Sequence, residues 1–176
     1  KEGEGPGEYI DLRDFTIIGD SIIKMAEVYN IMNFDMEGNF LFEKEQKATA
    51  MEMVHLKGKT ITYNPGSQQR GNLLLTLLDN ADNYVMDFFK VSSLESQISD
   101  CFSRGEAFTS DEKYIYFNHP LSNIIYQVDI DTQKYTPHYI IDYKDKSLSW
   151  DIFPENGDVN IWGKLLREDD KVLAID

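Results

Sequence analysis

The sequence is poor in cysteine, in histidine and in long apolar runs. Its 176 residues include one cysteine, Cys101, and three histidines. A single cysteine cannot form an internal disulfide, and neither residue type shows the spacing of a zinc or redox motif, so we expect Cys101 to be an inert, partly buried thiol. No stretch reaches the roughly 18 apolar residues that a membrane-spanning helix needs, and Lys1 opens on an acidic, glycine-rich segment without a signal-peptide core. We therefore expect no transmembrane segment in the chain as given.

Basic residues and catalytic motifs are also scarce. The chain has 17 Lys and Arg against 31 Asp and Glu, a net charge of -14, which repels phosphate backbones and argues against a nucleic-acid partner. No serine lies in a Gly-x-Ser-x-Gly elbow, and the histidines His55, His119 and His138 have no second His three or four residues away. The sequence accordingly offers no catalytic residue and implies no cofactor.

Short strands separated by turns are what the sequence does contain. Apolar runs at 15–18 and 22–26 flank the turn dipeptide Gly19-Asp20, and the runs 31–35 and 40–43 flank a second turn. This pattern predicts four antiparallel strands in about thirty residues.

The four-strand unit then recurs, with predicted repeats at about 12–46, 49–91 and 105–142. The isoleucines of the second strands, Ile22, Ile61 and Ile115, are 39 and 54 residues apart, so the repeat is irregular. Four-stranded units at a period of about 40 to 50 residues are typical of β-propeller blades, which bury their faces by stacking on neighbouring blades. We therefore predict an all-β propeller fold, with a β-sandwich as the alternative.

The last part of the chain differs in character. Residues 143–167 are predicted to form an insertion between blades, with short helical turns near 147–167, and 168–176 to begin a fourth blade. Six blades of about 50 residues would need roughly 300 residues. We therefore expect the remaining blades to come from the rest of a longer chain or from another copy.

Three segments resemble a known family. Residues 3–9 read Gly-Glu-Gly-Pro-Gly-Glu-Tyr, residues 34–40 read Phe-Asp-Met-Glu-Gly-Asn-Phe, and residues 141–144 read Ile-Asp-Tyr-Lys. These segments resemble the linker, a hairpin and a blade end of the bacterial 6-bladed β-propeller lipoprotein families, which are similar to NHL and TolB-type propellers. The resemblance implies the periplasm or outer surface of a Gram-negative bacterium, with a lipid anchor upstream of this segment.

A physical role for the first of these segments stands beside the resemblance. Pro6 sets φ for a turn, Gly5 and Gly7 permit positive φ, and Glu8 is placed to accept hydrogen bonds from the turn amides. A phosphate cradle is not expected, because no strand precedes the glycines and no helix pattern follows them.

Candidate ligand-binding residues lie in loops and at strand ends. The polar insert 63–70 is the most loop-like stretch, and exposed aromatic rings are the usual platform for stacking sugars. The residues predicted to contact a ligand are Tyr63, Arg70, Tyr116, His119 and Trp150.

Asp79 and Asp82 are weak candidates for a calcium site. The segment 79–83 offers closely spaced carboxylate and amide oxygens, but it lacks the glycine and distal glutamate of an EF-hand loop. Asp and Asn are also the favoured residues of hairpin turns, so a turn is the preferred interpretation and no metal is predicted.

The function that these features favour is non-enzymatic binding of a protein or glycan through loops on one face of a propeller. A first alternative is a propeller hydrolase or lyase with a metal on the central axis, built from one side chain per blade. A second alternative is a structural scaffold.

Overall fold

The computed structural model describes residues 3, 5, 7–27, 29–47, 49–65, 70–93, 95–96, 99, 106–119 and 122–142. The chain divides into two compact units, Lys1–Asp142 and Tyr143–Asp176. The second unit lies outside the described residues, and with it the predicted helical turns near 147–167 and the predicted start of a fourth blade at 168–176.

Twelve strands form three sheets of four antiparallel strands, and each sheet uses consecutive strands of the chain. In the first sheet, or blade 1, the tight turn after Ile18 and the turn at Gly38, which has a φ of 84°, connect neighbouring strands. Its strands are β1 Leu12–Ile18, β2 Ile22–Glu27, β3 Asn30–Asp35 and β4 Phe40–Glu45.

Blades 2 and 3 repeat this arrangement. Blade 2 consists of β5 Glu52–Leu56, β6 Lys59–Tyr63, β7 Leu73–Leu78 and β8 Tyr84–Lys90. Blade 3 consists of β9 Phe108–Ser110, β10 Ile115–Asn118, β11 Ile124–Asp129 and β12 Lys134–Ile140.

The first strands of the three blades lie side by side. Strand β1 contacts β5, and β5 contacts β9, so these are the innermost strands of their sheets, while the fourth strand of each sheet is the outermost. This arrangement confirms the predicted propeller blades. It does not fit the alternative β-sandwich, because in a sandwich two sheets face each other and Greek-key connections pass between them.

One turn recurs between the third and fourth strands of every blade. In blades 1 and 2 the carboxylates of Asp35 and Asp79 accept hydrogen bonds from the main-chain amides of Asn39 and Asn83, at 2.7 and 2.9 Å. In blade 3 the carboxylate of Asp129 accepts from two amides of its own turn. Such Asx turns fix where the outermost strand begins.

The core is divided between the two places where blades stack, which we call the first seam (blades 1 and 2) and the second seam (blades 2 and 3). The second seam is apolar and large, and includes Ile61, Tyr63, Leu75, Leu77, Phe88, Phe89, Ile115, Phe117 and Val128. The first seam has a small apolar cluster of Ala26, Ile31, Ala50, Met53 and Leu78.

The glycine-rich segment before β1 forms the predicted turn. The Glu8 carboxylate accepts a hydrogen bond from the Gly5 amide at 3.1 Å, and the Glu8 amide donates to the Gly5 carbonyl at 2.8 Å. Gly7 has a φ of 74°, and a Cβ there would lie 2.7 Å from the Phe40 side chain. Only glycine therefore fits where this segment crosses the start of β4.

A short helical stretch between β8 and β9 was not predicted. Ser93, Glu95, Ser96 and Ser99 are helical, and Ser92 and Glu95 exchange main-chain-to-side-chain hydrogen bonds of 2.8 and 3.1 Å as a capping box. Among the described residues no helix is long and apolar enough to span a membrane.

Candidate functional site

A polar cleft opens where blade 1 meets blade 2. It is shallow and has room for about one water-sized group, so it suits a single functional group of a ligand and not a whole drug-sized molecule. Two of its residues follow β4, and the others come from β6, β7, β8 and the connection between β6 and β7. Its lining is Gln46, Lys47, Thr62, Asn64, Arg70, Thr76 and Tyr84.

Arg70 is held in the cleft by a network of polar contacts within blade 2. Its guanidinium forms an ion pair with Asp87 and donates to the Thr76 hydroxyl at 3.1 Å. The Thr76 hydroxyl donates to Asp87 at 2.7 Å, and the Asn64 amide donates to Thr76 at 2.8 Å. Because both Arg70 and Asp87 are mostly buried, at 18% and 12% exposure of the side chain, the guanidinium is strongly oriented.

Lys47 supplies a second positive charge to the same cleft. Its ammonium lies 4.6 Å from the centre of the Tyr84 ring, within cation–π distance. The Tyr84 hydroxyl in turn donates to Asp87 at 3.3 Å. The cleft thus combines two cations and several amide and hydroxyl groups in a chain with a net charge of -14.

A second polar region lies along the innermost strands. The Asp14 carboxylate accepts a hydrogen bond from the Met53 amide at 2.7 Å, and the Glu52 carboxylate accepts one from the Ala107 amide at 2.6 Å. Burial raises the pKa of Glu52 to about 7, and the neighbouring charges of Asp14 and Glu106 act in the same direction. A carboxyl group with such a pKa holds or releases a proton near neutral pH.

A match to a family model covers residues 1–171 and describes a 6-bladed beta-propeller. This chain belongs to that family. No curated protein matches the chain.

Three solved structures are similar in fold to this chain. A protein of Bacteroides fragilis described as exported has a TM-score of 0.61 and 16% identity, over 80% of this chain and 40% of its own length. Streptogramin B lyase has a TM-score of 0.53 and 12% identity over 77% of this chain. BamB from Moraxella catarrhalis has a TM-score of 0.50 and 12% identity over 73% of this chain. This propeller chain spans 37% to 42% of the length of these three proteins.

The predicted ligand residues fall in different parts of the propeller. Arg70 lines the polar cleft. The Tyr63 ring is fully buried in the second seam, 5.6 Å from the ring of Phe117. Tyr116 lies on the face of blade 3 that does not form the second seam, and its ring is 5.2 Å from that of His138. The roles of these side chains in binding stay predictions, and Trp150 lies outside the described residues.

His119, also predicted to bind a ligand, is buried beside the insert between blades 2 and 3. Its Nε2 lies 3.1 Å from the Ser99 hydroxyl, which donates at 2.6 Å to the main-chain carbonyl of Glu95. Burial lowers the pKa of His119 to about 4, so the imidazole is neutral at physiological pH. His119 and Tyr63 both pack near Phe117, so the second seam brings these two predicted residues into one region of the core.

The two candidate calcium ligands have protein partners. The Asp79 carboxylate accepts hydrogen bonds from the Ala81 and Asn83 amides of its own turn, each at 2.9 Å. Asp82 is 1% exposed and forms an ion pair with Lys24 of blade 1. Across the described part of the chain, no three His, Cys, Asp or Glu side chains are grouped so as to hold a metal ion.

Lys24 is the most informative residue that sequence reasoning missed. It is 1% exposed, and its ammonium donates to the Thr60 hydroxyl at 3.1 Å in addition to its pair with Asp82. Asn33 donates to the other oxygen of Asp82 at 2.9 Å. A lysine within the otherwise apolar run of β2 was the available signal, because a buried charge requires a partner.

Proposed function

We propose that this chain is part of a cell-envelope propeller that binds a protein or glycan ligand without transforming it, and that the polar cleft around Arg70 holds an acidic group of that ligand. The observation that carries the proposal is that Lys47 and Arg70, the latter already paired with Asp87, line one cleft of a strongly acidic chain. A carboxylate placed there would receive charge-assisted hydrogen bonds, which are about twice as strong as neutral ones. Ligand sites in propellers are expected on loops such as the one that carries Arg70.

A matched pair of sugars tests the proposal. Glucuronate and glucose differ by a carboxylate, so glucuronate is expected to shift the backbone NMR signals of Lys47, Arg70 and Tyr84 at millimolar concentration, and glucose much less. Lys47→Ala should weaken the glucuronate response several-fold, whereas Lys44→Ala, which removes an exposed lysine of the preceding strand β4, should not change it. Equal responses to both sugars, or none at the cleft, would contradict the proposal.

The envelope location rests on likeness to exported and BamB propellers and on the resemblance of residues 3–9. We propose the periplasm or the outer cell surface, with a lipid anchor upstream and the remaining blades in the rest of a longer chain or in another copy. Fractionation of the native bacterium, with detection of this protein in the membrane-associated envelope fraction, is the measurement. Recovery in the cytoplasmic fraction would overturn this location.

An enzymatic alternative has one observation in its favour. The Glu52 carboxyl, on an innermost strand, has a pKa raised to about 7, which suits general acid–base catalysis by a propeller hydrolase or lyase. A turnover screen with Glu52→Gln as the control would detect it, because a glutamine cannot transfer the proton. Activity that survives this substitution unchanged would exclude the role for Glu52. Absence of both ligand binding and turnover would favour the second alternative, a structural scaffold.

A further inference from the structure

Gln46 is the cleft residue whose position is fixed by both its main chain and its side chain. It directly follows β4 of blade 1, and its main-chain amide donates to the Tyr29 carbonyl at 2.6 Å. The side-chain nitrogen Nε2 donates to the Lys44 carbonyl of blade 1 and to the Asp82 carbonyl of blade 2, each at 3.3 Å. The two hydrogens of this amide group are thus used on two carbonyl oxygens, and rotating the group would bring its own oxygen against them.

This orientation leaves the side-chain oxygen of Gln46 as an acceptor. Within the described part of the chain, no residue donates a hydrogen bond to Oε1. The other amide in the lining, Asn64, is used inside blade 2. Its nitrogen donates to the Thr76 hydroxyl and to the Thr62 carbonyl, and its oxygen accepts from the Thr62 hydroxyl at 3.4 Å. Of the two amides, Gln46 is therefore the one whose oxygen remains for a ligand.

The two cations of the cleft differ in how far their charge is already balanced. Arg70 is paired with Asp87, whereas Lys47 contacts the Tyr84 ring and has no acidic partner among the described residues. Lys47 directly follows Gln46 in the chain, so a cationic donor and an oriented acceptor are neighbours at the cleft. Because the cleft has room for about one water-sized group, the ligand groups that meet these two residues must be close together in the ligand.

We propose that Gln46 determines the specificity of the polar cleft, and that the ligand it selects is a hydroxy acid with its hydroxyl on the first or second carbon from the carboxylate. The carboxylate lies at Lys47, and the hydroxyl donates to Oε1 of Gln46. A ligand without that hydroxyl leaves the oriented acceptor unpaired, which is the usual basis of selection for a hydroxyl group. The inference rests on the proposed function, because it takes acid binding in this cleft as given and narrows the acid to one chemical class.

Three small acids test this specificity by NMR titration of the unmodified chain. Lactate and 3-hydroxypropionate each add one hydroxyl to propionate, and all three are monoanions at neutral pH. The tighter of the two hydroxy acids is expected to bind about three to ten times more tightly than propionate, the range that one hydrogen bond provides. It should also shift the side-chain amide signals of Gln46, which propionate should leave in place. This second readout needs no variant.

A substitution at Gln46 tests the assignment to this residue. Gln46→Met keeps the length of the side chain but removes the amide, so the hydroxy acids and propionate should bind equally well to the variant. Gln127→Met, the same substitution in β11 of blade 3, is the matched control and should keep the preference for the hydroxy acid. If Gln46→Met does not fold, the Gln46 amide signals of the unmodified chain decide the question.

The outcomes separate this inference from the proposed function. Equal affinity of the unmodified chain for all three acids would overturn the role of Gln46, and so would a preference that survives Gln46→Met. In both cases acid binding in the cleft would stand. If none of the three acids shifted the signals of Lys47 and Tyr84, which line the cleft, the proposed function would fail together with this inference.

Discussion

The two seams join blades of the same architecture with different chemistry. The second seam is filled by aromatic and aliphatic side chains, among them Phe89 and Phe117, whose rings meet edge to face with centres 4.9 Å apart. The first seam has only a small apolar cluster and is crossed by the buried pair of Lys24 and Asp82. Stacking of blades thus requires complementary faces and places little restriction on how that complementarity is achieved.

The difference has an energetic consequence. Apolar stacking loses stability gradually, in proportion to the volume removed from the core. A buried ion pair is close to neutral when complete but strongly destabilising when one partner is removed, because the remaining charge is left without water or counter-ion. The first seam should therefore tolerate replacement of both members of its ion pair, whereas the second seam should not tolerate the loss of any large ring.

The largest effect is expected at the second seam. Phe117→Ala should reduce the free energy of unfolding by about 4 kcal/mol, because it removes a fully buried ring that contacts several others. Urea unfolding followed by circular dichroism measures this loss. The neighbouring substitution Tyr116→Ala, on the opposite face of the same strand, is the control and should cost much less.

At the first seam, Lys24→Met should cost about 3 kcal/mol, since Asp82 is then a buried carboxylate without a cation. The double variant Lys24→Met, Asp82→Leu should recover most of that loss. The same urea titration checks both. If the double variant lost as much free energy of unfolding as the two single variants together, the polar pair would be essential to the first seam. The proposed contrast between the seams would then fail.

The stability of the protein should depend on pH through Glu52, whose carboxylate joins blades 2 and 3. The pKa of Glu52 is raised in the folded protein from about 4.5 to about 7, so the folded state binds more protons than the unfolded state between these values. The Glu52 contribution to stability is therefore complete below pH 4.5 and declines as pH rises to 7. We expect a decline of about 1 kcal/mol, because the half-buried side chain is partly screened by solvent.

Glu52→Gln isolates this contribution. The glutamine keeps an acceptor for the Ala107 amide but does not titrate, so the unfolding free energy of the variant relative to the unmodified chain should rise between pH 4.5 and 7. Parallel pH profiles for the two proteins would show that the Glu52 pKa is not raised.

The smallest effect is expected at the solvent-exposed rim of the second seam. Lys57 of blade 2 and Asp131 of blade 3 form an ion pair of 3.1 Å, with side-chain exposures of 38% and 58%. Lys57→Ala should change the unfolding free energy by less than about 0.5 kcal/mol, and the change should vanish in 1 M salt. A salt-independent loss above 1 kcal/mol would mean that the rim contributes to stacking as strongly as the interior.

Local features of the fold were predictable because their causes are local. The hairpins at Gly38 and Asp79 follow from residues that adopt positive φ or form Asx turns, independently of the rest of the chain.

The face of the sheet to which each strand side chain points was harder to predict from the sequence. Ile61 and Ile115 lie on the second strands of blades 2 and 3, yet both are buried in the second seam. Ile61 therefore faces blade 3, and Ile115 faces blade 2. A register difference of one residue reverses the face, and the irregular repeat did not reveal it.

The candidate site was predictable only in part. Arg70 was identified from its polar loop, but its companions Lys47, Asn64 and Thr76 come from other strands and have ordinary surface chemistry in sequence. Asp82 had a local explanation as a turn residue, and its partner Lys24 is 58 positions away. Long-range pairing of this kind leaves no periodic signal.

The sequence by itself determined the sheets of this protein, because turn residues and alternating apolar residues act over a few positions and recur in each blade. The tertiary structure decided which faces of those sheets meet, which charges are buried together and which polar groups converge on one cleft. Those outcomes depend on the stacking of one blade on the next, where a single position of register or a lone buried lysine changes the chemistry of the whole seam.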